Sequence, residues 1–126
     1  MTTVIPGPIS LAATELEAAL RTVKAVGVHR DPGAILEPLP AAVLGPPALT
    51  WAGQAGSGPE SARFLVYVVV DPDERAVERL WELVAQVADA IDENSGAVVI
   101  RADPAVFVSG GRDLPCYELQ VEASLT

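Results

Sequence analysis

Phe64-Leu65-Val66-Tyr67-Val68-Val69-Val70 is apolar at every position and runs straight into Asp71-Pro72-Asp73-Glu74, and the reading of this junction decides the fold. A strand sustains an unbroken apolar run only when both of its faces are covered, which predicts a central strand over 64–70. Asp71 then offers a helix cap, Pro72 suits a first helical position, and Glu74 stands three residues after the cap. The helix so started extends to about Glu93, where Asn94-Ser95-Gly96 ends it. Its predicted buried stripe is Val77, Leu80, Trp81, Val84, Val87, Ala88 and Ile91, with Arg75, Glu78, Arg79, Glu82 and Asp92 left for solvent or a partner.

Downstream, Ala97 to Arg101 and Ala105 to Val108 are strand material around an Asp103-Pro104 interruption, and Ser109-Gly110-Gly111-Arg112-Asp113 supplies a turn. In the last segment Tyr117, Leu119, Val121, Ala123 and Leu125 alternate with Glu118, Gln120, Glu122 and Ser124, giving one buried face and one acidic, wet face. Upstream, Ser10 is a cap and Gly27 a C-terminal stop for an amphipathic helix whose stripe is Leu16, Ala19, Leu20, Val23 and Val26. Prolines 32, 38, 40, 46, 47 and 59 forbid helix between Asp31 and Ser61, leaving Ala41 to Leu44 and Ala48 to Trp51 as short strands. The glycine-rich piece that follows, from Gly53 to Ser61, reads as a mobile loop. With no second βαβ unit, the order predicts an α+β domain over 1–126: a largely antiparallel, mixed sheet of four to five strands, two helices packed on it, and an N-terminal arm over 1–9.

Composition narrows the chemistry. Seventeen acidic against eight basic residues in a chain of 126 leave a net charge of −9, the wrong sign for gripping a phosphate backbone. One cysteine, Cys116, excludes an internal disulfide and a multi-cysteine zinc site, and one histidine, His29, removes motifs that need two. The opening residues carry no basic region followed by a sustained apolar run, so no secretory leader is expected and the chain is expected to be made in the cytosol. The longest apolar run, 64–70, is far short of the roughly 20 residues that span a bilayer as a helix, so no membrane partner is expected.

Catalytic pairings do not assemble from this inventory. Gly110-Gly111 beside Arg112 lacks the helix start and Lys-Ser/Thr of a phosphate loop, and a hairpin turn explains it better. Asp71 with Asp73, and Asp103 with Asp113, are explained by capping and turn geometry. His29-Arg30-Asp31 follows a helix end, and Cys116 lies beside Pro115 far in sequence from the histidine, so each reads as packing or surface rather than as base or nucleophile. No cofactor and no metal are expected. Trp81 reads as core, and Trp51 falls in a strand pattern, with an interface anchor as the alternative because it borders the glycine loop. Loops longer and more glycine-rich than a connection requires make binding the better class. The expected interface is Trp51, Gly53, Gln54, Gly56, Ser57, Gly58, Glu60 and Ser61, with Gly110, Gly111, Arg112 and Asp113 as its second part.

Four strings taken together point to a family: Pro40-Ala41-Ala42-Val43-Leu44-Gly45-Pro46-Pro47-Ala48-Leu49-Thr50-Trp51, then 64–70, the Val77 to Glu93 helix, and Leu114-Pro115-Cys116-Tyr117-Glu118-Leu119-Gln120-Val121. In these the chain resembles the tail terminator proteins of long-tailed, siphovirus-type actinobacteriophages. The resemblance implies the lambda-type terminator fold and a homohexameric ring that caps the finished tail tube, halts its growth and offers a surface to the head-side neck. It implies as partners further copies of the chain, the major tail tube protein and a neck or connector protein, and a place in the virion at the head-proximal end of the tail after assembly in the host cytoplasm. No active site is carried over. Six copies at −9 each sum to about −54, which would keep DNA from sticking to a ring it must pass through. A neck adaptor or head-closure protein is the alternative within this class, and a small cytosolic α+β enzyme the alternative outside it.

Overall fold

The computed structural model describes residues 7–30, 33, 38–53, 56 and 58–125. Two helices, α1 (Pro8–Arg21) and α2 (Ala76–Asn94), accompany six strands: β1 (Gly27–His29), β2 (Ala41–Leu44), β3 (Ala48–Trp51), β4 (Pro59–Val69), β5 (Val98–Ser109) and β6 (Arg112–Ser124). The strands form one mixed sheet in the order β1-β2-β4-β6-β5, with β3 also paired to β4. Only β1 and β2 run parallel; the other pairings are antiparallel. The expected α+β class is the observed one, and β4 is the central strand that the apolar run 64–70 predicts.

Alternation along β4 divides its side chains between two cores. Ala62, Phe64, Val66, Val68 and Val70 point to the helices, where Leu16 and Leu20 of α1, Leu80, Val87 and Ile91 of α2, and Leu119 and Val121 of β6 close around them. Val69 points the other way, into a smaller cluster with Ala41, Val43, Phe107, Leu114 and Cys116. Tyr67 packs on that cluster with its ring centroid 5.3 Å from that of Phe107. The second core sits under one end of the sheet only. Toward the other end the same face carries Glu118, Gln120 and Glu122, which are half-buried rather than wet, since Arg63 bridges Glu122 at 3.3 Å and lies beside them.

Local chemistry moved several boundaries. Helix α1 starts at Pro8, after Gly7, so Ser10 is inside it and does not cap; Pro8 and Ile9, expected in an N-terminal arm, form its first turn. It stops at Arg21 rather than Gly27, because the Thr22 hydroxyl donates to the Ala19 carbonyl at 2.7 Å and competes with continued helix. Val23 and Val26 are buried all the same. Gly27, freed from a capping role, donates to the Pro40 carbonyl at 3.1 Å and opens β1, a strand beyond the four to five expected.

Helix α2 begins at Ala76, not after Asp71. The Asp73 carboxylate accepts the Arg75 N–H at 2.8 Å and bonds the Arg79 side chain, which winds 73–75 into a turn ahead of the helix. The buried face is therefore Ala76, Leu80, Leu83, Val87, Ala90 and Ile91, rotated from the predicted stripe so that Val77 and Trp81 fall on its exposed flank. Strand β5 passes through Asp103-Pro104 without interruption, because it is the sheet's edge and a proline there forfeits no ladder bond on its outer side. Irregularity is confined to a bulge between Val99 and Arg101.

Candidate functional site

The two parts of the expected interface lie at opposite ends of the sheet. Trp51 closes β3 opposite Pro59, just past a register shift at Thr50 that breaks the regular pleat, and its side chain is 55% exposed. Gly53, Gly56 and Gly58 follow with φ of 87°, 80° and 68°, left-handed values that an L side chain resists. Gln54 and Ser57 lie outside the described residues. Glu60 and Ser61 do not belong to a loop: both are in β4, where Ser61 pairs with Thr50 and Ser124 and the Glu60 carbonyl accepts the Leu125 N–H at 2.9 Å. The ladder of β4 on β6 captures these residues because the strand needs no apolar side chain at its end to keep its backbone bonds.

Gly110 and Gly111 form a two-residue turn between Ser109 and Arg112, with φ of 59° and 76°. Positive φ at both positions matches a type I′ hairpin turn, which follows the twist of its strands. Arg112 reaches Asp71 at 3.6 Å, tying the turn to the segment before α2, and Asp113 is exposed opposite Val108. From Arg112 to Ser124, whose partner is Ser61, β6 extends about 40 Å at roughly 3.3 Å per residue. The two candidate loops are therefore separate surfaces.

The residues weighed for catalysis do not converge. Cys116 is buried in the smaller core, and its thiol is pushed up to about 11, first by desolvation and then by Glu118, which leaves it protonated near neutral pH. Register relates His29 to Val43, Tyr67 and Glu118 across successive strands, so Cys116 sits three strand spacings away, at least about 14 Å. Asp103 is occupied by Arg101 through two bonds of 2.8 Å, an exposed pair that holds the carboxyl below its ordinary range. Among the described residues no cluster of histidine, cysteine and carboxylates fit to hold a metal occurs. An open hollow of about 220 Å³ lies between Ala13, Arg30, Leu44, Pro46 and Phe64, and it is lined by neither Cys116 nor His29.

One surface went unread in the sequence. Along the exposed flank of α2, Val77 is 52% and Trp81 59% exposed, and the neighbouring edge strand β5 presents Val106 at 67% and Val108 at 62%. The signal was present in the width of the apolar arc on α2, which takes in Val77, Trp81, Val84 and Ala88 beyond what one sheet contact can cover.

No family model matches the chain, and no curated protein does. Solved structures do. The gp17 protein of bacteriophage SPP1 superposes with a TM-score of 0.52 over 92% of this chain and 92% of its own, at 15% identity. The chain shares its fold with a bacteriophage protein.

Proposed function

We propose that this chain is a phage tail terminator, a structural protein of the virion that closes into a hexameric ring on the completed tail tube, stops its polymerisation and presents a surface to the head-side neck. The observation that carries the reading is the fold likeness to a bacteriophage protein over 92% of each chain, joined to the resemblance of the 40–51, 64–70, 77–93 and 114–121 strings to tail terminators. The placement of the loops supports it. A terminator meets the tube on one side and the neck on the other, and the 53–58 and 110–113 segments stand about 40 Å apart along β6. Their exposed residues bury nothing within the chain, as suits contacts made with other subunits. The net charge of −9 suits a ring through which DNA moves without being held.

The test is reconstitution with purified tail tube protein. Adding this chain should arrest tube growth at a defined length in electron micrographs, and native mass spectrometry of the capped ends should give six copies. Co-sedimentation with portal or connector protein and not with tubes would make the chain a neck adaptor instead. A fixed dimer at every concentration, indifferent to tubes, would count against both.

A further inference from the structure

The flank of α2 and the upper face of β5 form an apolar shelf. Three contacts fix how α2 lies: Asp71 on Arg112 at one end, Trp81 on Tyr117 in the middle, and the short turn through Gly96 into β5 at the other. The helix thus runs parallel to β6 and antiparallel to β5, and it leaves Val106 and Val108 of the outer strand exposed. Tyr117 pairs with Pro104, and by the two-residue period of a strand Val106 and Val108 face the same side as Pro104, next to Val77 and Trp81. Of the eight large hydrophobics exposed among the described residues, Val77, Trp81, Val98, Ile100, Val106 and Val108 belong to α2 or β5. A bulge and Pro104 blunt the first half of this edge, which leaves Ala105–Val108 as the segment able to pair outward.

Charge says what can lie there. The chain carries 25 charged residues in 126, with a surplus of nine negative, so two copies repel wherever their surfaces are acidic. Two strand-bearing stretches at the margins of the sheet escape this. Residues 98–109 hold one basic and one acidic side chain, Arg101 and Asp103, neutralised by each other. Residues 38–59 hold no charged side chain, and they include β3, which among the described residues pairs with β4 alone and so forms an edge on the far side of the sheet, with exposed Trp51 at its end. The two uncharged, apolar edges are thus on opposite sides of one sheet.

We infer that a second copy of this chain docks on the shelf, the β3 edge and Trp51 of one subunit packing against Ala105–Val108, Val77 and Trp81 of the next. This rests on the ring reading above and assigns its subunit interface. A contact between two different surfaces is head-to-tail, the arrangement that closes into a ring or extends as a filament, and it leaves neither edge exposed in the ring.

Two variants test it: Val106→Glu with Val108→Glu, which spoils the shelf, and Trp51→Glu, which spoils the opposite edge. All three side chains are more than half exposed, so both proteins should melt as the wild type does. Each alone should self-associate at least tenfold more weakly in sedimentation velocity, with tube protein present or absent. Mixed in equal amounts they should form dimers and nothing larger, because only one intact shelf meets one intact edge. Assembly of the shelf variant like the wild type overturns the inference while leaving the ring intact, and so does normal assembly with lost tube binding, which would give the shelf to the tube. Normal assembly of Trp51→Glu beside failure of the shelf variant means that two shelves meet symmetrically, which overturns the head-to-tail pairing. A wild-type protein that stays monomeric at all concentrations and on tubes sinks the ring and this interface together.

Discussion

The indole nitrogen of Trp81 donates a hydrogen bond to the Tyr117 hydroxyl at 2.9 Å, and this bond pins a ring that remains 59% exposed. Trp81 is on the helix stripe by spacing, yet the centre of the buried face falls on Leu80, Leu83 and Val87. Its ring spans from helix to hairpin like a strut. Tyr117 belongs to β6, between β4 and the edge strand, so the bond ties α2 to β6 directly.

An exposed strut is worth less than a core residue. Trp81→Ala should cost about 1–2 kcal/mol, the sum of one net hydrogen bond and partial packing. Phe64→Ala, at the centre of the larger core, should cost about 3–5 kcal/mol. Thermal or urea melts of the two variants side by side check the ordering. A larger loss at Trp81 than at Phe64 would mean that the ring is covered in solution.

The buried thiol gives an alkaline signature. Folding raises Cys116 to about 11 from an ordinary value of 9.0, chiefly by desolvation. Its stabilising contribution is complete below pH 9, where both states keep the proton, and is lost as pH climbs from 9 toward 11, where only the unfolded chain ionises. Tyr67, also raised by burial, adds a loss of the same sign above pH 10. Cys116→Ala should start less stable, because it leaves a small void, and should lose less stability than the wild type between pH 8.5 and pH 10.5. Parallel slopes in urea titrations at those two pH values would show that the thiol reaches water.

Much of this fold was legible, and the reasons are local. Prolines at 40, 46 and 47 bracket β2 and fix the start of β3 so tightly that these bounds follow from the residues that cannot join a ladder. The apolar run 64–70 could only be central. What escaped depended on contacts between distant segments or on competition within a turn. Gly27 has the look of a helix stop, and only its bond to Pro40 makes it a strand. Asp71 has the look of a cap, and Asp73 takes the turn instead. Pro104 argues against a strand until β5 is known to be an edge. The candidate loops were readable as glycine-rich, but Glu60 and Ser61 could not be assigned to β4 without its pairing to β6.

The β5–β6 turn should be intolerant of side chains. A methyl group at Gly111 would meet open space, but φ there is 76°, so the cost of Gly111→Ala comes from the backbone alone. About 1 kcal/mol is expected, with Gly111→Asn milder because asparagine tolerates the left-handed region. Melting temperatures of the two variants give the check. Equal losses would mean that the turn changes type when substituted.

The 53–58 segment is expected to behave in the opposite way. Trp51 and Pro59 are cross-strand partners, so the segment between them closes a hairpin that a shorter turn can also close. Ala52, Gly53, Gly56 and Gly58 are all exposed and pack on nothing that the fold requires. Replacing residues 53–58 with Asn-Gly, while keeping Glu60 and Ser61 in β4, should leave the melting temperature within about 2 °C of the wild type. Under the terminator reading the same change should impair capping, because exposed residues such as Gly53, Gly56 and Gly58 gain contacts only against a neighbouring subunit or the tube. Tails assembled with the shortened protein should then grow past their normal length or fail to join heads, as electron micrographs would record. Normal lengths and normal head joining would reduce the segment to a connection and move the tube contact to the 110–113 turn, about 40 Å away at roughly 3.3 Å per residue along β6.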